Sequence, residues 1–292
     1  MIVSNIIGGL GNQMFQYSAG RALSLRLGQP LKLDARDFSG YKLHQGFELG
    51  RLFNCDTEIA TDDDLRFVLG WQRTKLVQRV LRRPQLKSLR YKSYIVEPCF
   101  NYWGGINNLK DDVYLDGYWQ SEKYFVEFAD KIREDFTFKL PFSVQNAEIA
   151  QQISQVNAVS LHVRRGDYAN NLKTTATHGL CSLEYYRAAI DYVSAQVSQP
   201  CFFIFSDDIA WVKANLLINS PTVFIDHNAN QESYNDMRLM SLCKHNIIAN
   251  SSFSWWGAWL NPNIEKIVIA PKQWFSKPTD TRDLIPASWV RV

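Results

Sequence analysis

Short apolar runs alternate with amphipathic stretches along the whole chain, the pattern of an α/β fold in which strands and helices take turns. Residues 2–7 read as a strand, 8–11 as a tight glycine turn and 12–27 as a helix. Within that helix Phe15, Ala19, Ala22, Leu23 and Leu27 fall on one face at helical spacing. Gly28 ends it and residues 30–34 start the next strand. A second series begins near Val156, where Val159, Leu161 and Val163 alternate with Ser160, His162 and Arg164 as in a strand. Residues 201–205, 223–225, 246–249 and 267–270 read as further strands, with helical periodicity over 207–217 and 233–243. Two α/β halves with a boundary near 145–157 are the simplest organisation.

The stretch from Arg66 to Lys92 differs, with nine basic residues, no acidic one, and a break at Pro84. It reads either as a basic amphipathic surface that touches anionic lipid or as a solvated helical face, the second being the simpler account. Trp71, Leu76, Val77, Val80 and Leu81 are expected to pack inward in both cases.

Composition narrows the function classes. A net charge of +3 gives no case for nucleic-acid binding. The five cysteines are scattered, with no CxxC pair, which argues against a disulfide framework and a zinc site and favours a reducing compartment. No signal peptide or membrane span is visible, so the expectation is a cytoplasmic enzyme, with peripheral contact to the inner membrane left open.

Three segments carry candidate chemistry. Gly8-Gly9-Leu10-Gly11-Asn12-Gln13 is a glycine turn between strand and helix, where backbone can approach a ligand and helix N–H groups are free. With Asp34 at the next strand end it also resembles a dinucleotide fingerprint, although Met14 stands where a third glycine is wanted. His162-Val163-Arg164-Arg165-Gly166-Asp167-Tyr168 puts His162 and Arg164 on one face at a strand's carboxyl end. Adjacent arginines suit a phosphate between them, or an internal Arg–Asp network through Asp167. In 250–262, Ser251 or Ser252 would cap a helix whose N–H groups could hold a phosphate, while the tryptophans are expected in the core. Ser206-Asp207-Asp208 sits at another strand end, and the Asp236 carboxylate could accept two guanine N–H groups. Asp62-Asp63-Asp64 mimics a metal-binding DxD but lies in a polar helical stretch, which reads as a solvated face.

Taken together these residues resemble the α-1,2-fucosyltransferases, glycosyltransferase family 11. The segments that carry the likeness are GGLGNQMFQYSAGRA at 8–22, LHQGFEL at 43–49, LDGYWQSEKYF at 115–125, HVRRGDY at 162–168, FSDD at 205–208 and NSSFSWWGAWLNP at 250–262. The HxRRxD element is shared with other fucosyltransferases, so it marks fucosyl transfer rather than one linkage. The resemblance implies an α/β fold of GT-B type, two Rossmann-like lobes facing across a cleft. Residues 1–155 would be the acceptor-side lobe and 156–292 the GDP-fucose-binding lobe. It implies inverting, metal-independent transfer of L-fucose from GDP-β-L-fucose to the 2-hydroxyl of a terminal β-galactoside, with no cofactor.

By the same resemblance Arg164 serves the diphosphate and Asn12 and Gln13 the donor–acceptor junction. Gly9, Gly11, His162, Arg165, Asp167, Ser206, Asp207, Asp236, Ser251, Ser252 and Phe253 are the donor-binding set. Asp34, His44, Gln45, Glu48, Trp119 and Gln120 are the acceptor-side candidates. Chemical type alone leaves Asp34, His44, Glu48 and Glu122 open as a general base. An NAD-type oxidoreductase would rest on the glycine turn and Asp34, and a non-catalytic glycan binder on the tryptophans. Neither accounts for the paired arginines.

Overall fold

The computed structural model describes residues 1–40, 45–165 and 179–292. It divides into two compact units, Met1–Lys139 with Arg282–Leu284, and Leu140–Thr281 with Ile285–Val292. The sequence reading drew the line at 155/156. The compact units part earlier because helix Val144–Ser154 belongs with the second sheet, where its Ile153 packs among Phe203, Phe205 and Met240. The return of Arg282–Leu284 to the first unit is fixed by Asp283, whose carboxylate accepts from the Tyr102 N–H and from Lys123 and whose carbonyl accepts from Ser121.

The first unit holds a four-stranded parallel sheet in the order β2-β1-β4-β3. Its strands are β1 (Ile2–Asn5), β2 (Leu31–Asp34), β3 (Tyr94–Val96) and β4 (Val113–Asp116). Helix α1 (Leu10–Leu27) starts two residues earlier than expected, with Gly9 as its N-cap, so Gly11 lies inside the helix. It is buried on more than one face, and its buried polar groups are matched internally. Gln16 accepts from the Ile7 N–H at 2.9 Å and donates to the Gly117 carbonyl at 3.2 Å. The Tyr17 hydroxyl and Arg21 both donate to Asp135.

The two strand-end carboxylates of this sheet account for two of the nine basic residues between Arg66 and Lys92, namely Lys75 and Arg82. Asp34 is fully buried, and accepts from Arg36, the Tyr114 hydroxyl at 2.6 Å and, as an ion pair at 3.1 Å, Lys75. Burial alone would push its carboxyl up, but these partners hold it well below the usual carboxylate range. Asp116 accepts from Asn5, the Tyr94 hydroxyl and Arg82. Helices α2 (Asp62–Leu69) and α3 (Lys75–Leu81) are thereby fastened over the sheet, with Leu65, Val68, Leu69 and Leu81 in the core against Val3, Tyr94 and Tyr114. Asp62, Asp63 and Asp64 form the first turn of α2 behind a Thr61 capping box, which agrees with the solvated-face reading. The inward packing expected of Trp71, Leu76 and Val80 does not occur. They are 57%, 75% and 44% exposed, because Val77, Gln78 and Leu81 carry the inner face of α3.

The second unit holds a six-stranded parallel sheet in the order β10-β9-β8-β5-β6-β7. Its strands are β5 (Asn157–Val163), β6 (Pro200–Ser206), β7 (Thr222–Ile225), β8 (His245–Ile247), β9 (Val268–Ala270) and β10 (Val290–Arg291). Central β5 is covered on both faces, as parallel strands are. Helices α4 (Val144–Ser154), α5 (Leu183–Gln196), α6 (Ile209–Asn215), α7 (Tyr234–Leu242) and α8 (Ser252–Leu260) complete the series. Trp255, Trp256, Trp259 and Trp289 are buried and pack on one another, so the tryptophans serve the core as expected.

Among the described residues no helix is long and apolar enough to cross a membrane.

Replacing both Arg36 and Lys75 with methionine strands Asp34 as a buried charge. The double variant is expected to lose about 3–5 kcal/mol of unfolding free energy in urea, with part of the loss recovered on adding Asp34→Asn.

Candidate active site

In the second unit the expected donor residues gather at the carboxyl ends of β8, β5, β6 and β7, four neighbours in the sheet. Parallel pairing sets His162 beside Phe205 and Val163 beside Ser206, so the arginines following β5 meet the acids following β6. The Arg165 N–H donates to Asp207 at 2.7 Å, and Arg164 Nε lies 4.0 Å from the same carboxylate. Arg165 is anchored further, 3.6 Å from Asp208 and stacked 3.8 Å over the Trp211 ring. Asp208 caps α6 through the Trp211 N–H, and Ser206 Oγ accepts from the Asp208 N–H.

The internal Arg–Asp network therefore exists, but it runs through Asp207 and Asp208. Arg165, Ser206 and Asp207 take part in holding the β5 and β6 ends together. Asp167, the acid named for this network from the sequence, lies outside the described residues, as does His44.

His162 is 7% exposed, and burial together with the Arg164 charge pushes its imidazole down to about 3, so it is neutral at pH 7. Its Nδ1 is buried with no hydrogen-bond partner among the described residues. An orphaned nitrogen in such a place carries a desolvation cost that a ligand can relieve. Phe253 stands 6.0 Å from its ring. Ser251 caps α8 by accepting the Phe253 N–H at 3.3 Å, and half-buried Ser252 opens the helix. Asn250 is buried and donates to the Trp274 carbonyl.

Asp236, on α7, accepts from Asn228 just beyond β7 at 2.8 Å. Asn228 and His227 are in turn held by Asn146 of α4. Burial drives the Asp236 carboxyl up to about 7 against the pull of that one hydrogen bond. It is a desolvated acceptor with capacity left over, unlike the surface aspartate that sequence alone would suggest.

In the first unit the glycine turn is built around Gly8, at φ +81°. A Cβ there would meet Asn12 Nδ2 at 2.9 Å, so glycine is required on both counts. Gln120 donates to Asn12 Oδ1 at 2.7 Å, which brings together two of the expected residues from distant segments. Gln13 is a different matter. It is fully buried, donates to the Gly8 and Gly46 carbonyls at 3.0 and 2.7 Å, and accepts the Glu48 N–H at 3.0 Å. It staples the 46–48 segment to the glycine turn and has no surface to offer a substrate.

Other acceptor-side candidates also turn inward. Glu48 is buried and pairs with Arg51 at 3.0 Å, its carboxyl raised by burial. Trp119 is fully buried, edge-on to Tyr124. Asp34 belongs to the structural network described above, which also deprives the oxidoreductase reading of its ribose contact. Gln45 is exposed.

Glu97, at the end of β3, was missed in the sequence. Its two carboxylate oxygens accept the Tyr118 and Trp119 N–H groups at 2.7 and 3.0 Å, holding Trp119 at a left-handed φ of 55° and so setting the direction of Gln120. Gly117 is obligatory beneath it, since a Cβ would lie 2.4 Å from that of Glu97. Burial raises the Glu97 carboxyl to about 7. The one available signal was a glutamate before Pro98 at a strand end, where the proline keeps the chain extended.

Among the described residues no three His, Cys, Asp or Glu side chains come together as a metal site.

Residues 84–292 match the sequence profile of Glycosyl transferase family 11. The chain belongs to glycosyltransferase family 11. It is 39% identical to the alpha-1,2-colitosyltransferase of Escherichia coli, over all of this chain and 99% of that protein. It is 33% identical to the O-antigen biosynthesis glycosyltransferase WbnK of Escherichia coli, over 99% of each. Among solved structures, the fucosyltransferase NodZ from Bradyrhizobium superposes with a TM-score of 0.55 at 13% identity, covering 89% of this chain and 93% of that one. This family 11 glycosyltransferase thus has the GT-B-type α/β fold of that enzyme.

The Asp236 carboxyl generates a prediction for guanine nucleotides. A carboxylate that receives guanine N–H groups must be ionised, while near pH 7 and below the free protein holds the proton. Affinity for GDP should therefore climb by up to tenfold per pH unit from 5.5 toward 7 and level off above, with proton release on binding. Calorimetry in buffers of different ionisation enthalpy reads both. Asp236→Asn, which keeps the nucleotide's own titration, should abolish the difference.

Proposed function

We propose that this enzyme transfers L-fucose from GDP-β-L-fucose to the 2-hydroxyl of a terminal β-galactoside, with inversion and without a metal ion. The observation that carries the reading is the assembly on one sheet edge of Arg164, His162, the α8 N-terminus and Asp236. They match the diphosphate, the nucleoside and the guanine of a GDP-sugar. The family's α-1,2-transferring relatives support the linkage, including the galactoside alpha-(1,2)-fucosyltransferase 2 of Bos taurus.

As the C1–O bond breaks, the sugar takes on oxocarbenium character and charge grows on the departing β-phosphate. Arg164, Ser252 and the N–H groups at the start of α8 stabilise that charge more in the transition state than before it. His162, neutral at pH 7, offers a hydrogen bond rather than a charge. The Asn12–Gln120 pair is the acceptor-side group of the first unit, and its task is to orient the attacking hydroxyl. With Asp34 and Glu48 committed to ion pairs, a strongly dissociative displacement needs little help from a base.

A second donor is favoured by the 39% identity to the colitosyltransferase. Colitose is fucose without its 3-hydroxyl, so the same cradle accepts either nucleotide sugar unless a group contacts O3.

The test offers GDP-fucose and GDP-colitose separately with β-galactosides in EDTA, and assigns products by mass spectrometry and linkage NMR. Fucosyl transfer to the 2-hydroxyl is expected, with Arg164→Ala lowering kcat by about 10²–10³. Transfer from GDP-colitose alone would replace the donor. A requirement for added divalent cation would overturn the metal-free mechanism, and absence of transfer, donor hydrolysis and donor binding would overturn the whole reading.

A further inference from the structure

The nine basic residues between Arg66 and Lys92 separate into two groups. Arg66 and Arg73 pair with Asp62, Lys75 with Asp34, and Arg82 with Asp116, while Arg90 donates to the Leu81, Arg82 and Arg83 carbonyls. Arg79, Arg83, Lys87 and Lys92 are exposed and have no side-chain partner among the described residues.

Interleaved with these four cations are apolar side chains that the fold turns outward. Phe67 is 70% exposed, Leu76 75% and Leu89 58%, with Trp71 and Val80 beside them. On α3, Leu76, Arg79 and Val80 follow at i, i+3 and i+4, one outward face of mixed character, and Arg83 lies two residues beyond the helix end. The segments that carry these side chains are tied to one another from below. Gln72 donates to the Leu89 carbonyl at 2.8 Å and accepts the Tyr91 N–H at 3.1 Å, and Arg90 ties the end of α3 to the same segment. Of the acids at the margin of this face, Asp62 and Asp63 are taken by Arg66 and Arg73 and Asp112 by the terminal ammonium of Met1, while Asp111 lines a cavity shared with Phe67, Lys92 and Lys110.

We propose that this face docks on an anionic lipid bilayer, with Arg79, Arg83, Lys87 and Lys92 against the headgroups and Trp71, Leu76, Val80 and Leu89 in the interface. Unpaired cations among large exposed apolar groups are what an interfacial surface requires. A nucleic acid would use the cations but not the aliphatic side chains. An acidic protein remains as an outcome of the test. The inference stands apart from the donor and acceptor assignments, since none of these side chains belongs to the candidate active site.

Co-sedimentation with vesicles of 70% phosphatidylcholine and 30% phosphatidylglycerol, against pure phosphatidylcholine, reads it directly. Binding to the anionic vesicles alone is expected, weakening as salt rises. Each cation contributes about fivefold to partitioning, so R79Q/R83Q/K87Q/K92Q should lower it by at least about 100-fold. L76S/V80S/L89S should weaken it as well, while both variants keep the parent's melting temperature and its transfer activity on soluble acceptors. Equal sedimentation with neutral vesicles would overturn the proposal, as would no binding to the anionic ones, or retention by the quadruple variant. Binding of a duplex oligonucleotide or an acidic protein in place of the vesicles would also overturn it.

Discussion

The first unit depends on two carboxylates that its sheet cannot leave alone. Asp34 and Asp116 close adjacent edges of the same strand layer, buried, and a buried charge is tolerable only with partners close by. Arg36 comes from just past the end of β2, but Lys75 and Arg82 come from the two ends of α3, and the phenols of Tyr94 and Tyr114 come from β3 and β4. The helical layer is therefore fixed in position by charge as much as by its apolar contacts. Its apolar side is thin, and Leu76 and Val80 are free to face outward because they are not needed inside.

Much of the fold was legible because period and punctuation agree. Strand runs such as 201–205 fell within a residue or two of the observed Pro200–Ser206, and Gly28 ends α1 in the left-handed conformation expected of it. The gathering of His162 and Arg164 with the acids after β6 at one end of the sheet was legible for the same reason, since strand parity placed the first two and parallel pairing did the rest. What periodicity cannot express is which buried groups satisfy one another across the sheet. Gln13 and Gln16 look like ligand-binding polar residues in a glycine-rich turn. Their amides are in fact consumed by the carbonyls and N–H groups of segments far away in sequence. The inward expectation for Leu76 failed likewise, because it counted apolar residues without the ion pairs that set the face of α3.

The same distinction separates Arg164 from Arg165. Strand parity alone separated them in the sequence, with Arg164 on the face of His162. In the fold Arg165 is spent on Trp211, Asp207 and Asp208, and by being so it fixes the backbone from which Arg164 projects. A pair of arginines held together without a neutralising anion would repel. Here the two acids after β6 lower that cost, with Arg164 Nε 4.0 Å from Asp207.

Buried polar groups in this protein are thus of two kinds, and satisfaction tells them apart. Around α1 and the first sheet, Gln13, Gln16, Asp34 and Asp116 have their hydrogen bonds from within, and replacing any of them costs stability. Along the second sheet's carboxyl edge, among the described residues, His162 Nδ1 has no hydrogen-bond partner and Asp236 accepts from the neutral Asn228, while burial raises its carboxyl to about 7. Folding bears the desolvation of both groups and recovers little in return. On the proposed function, a nucleotide that donates to Asp236 and meets His162 would recover part of that cost on binding.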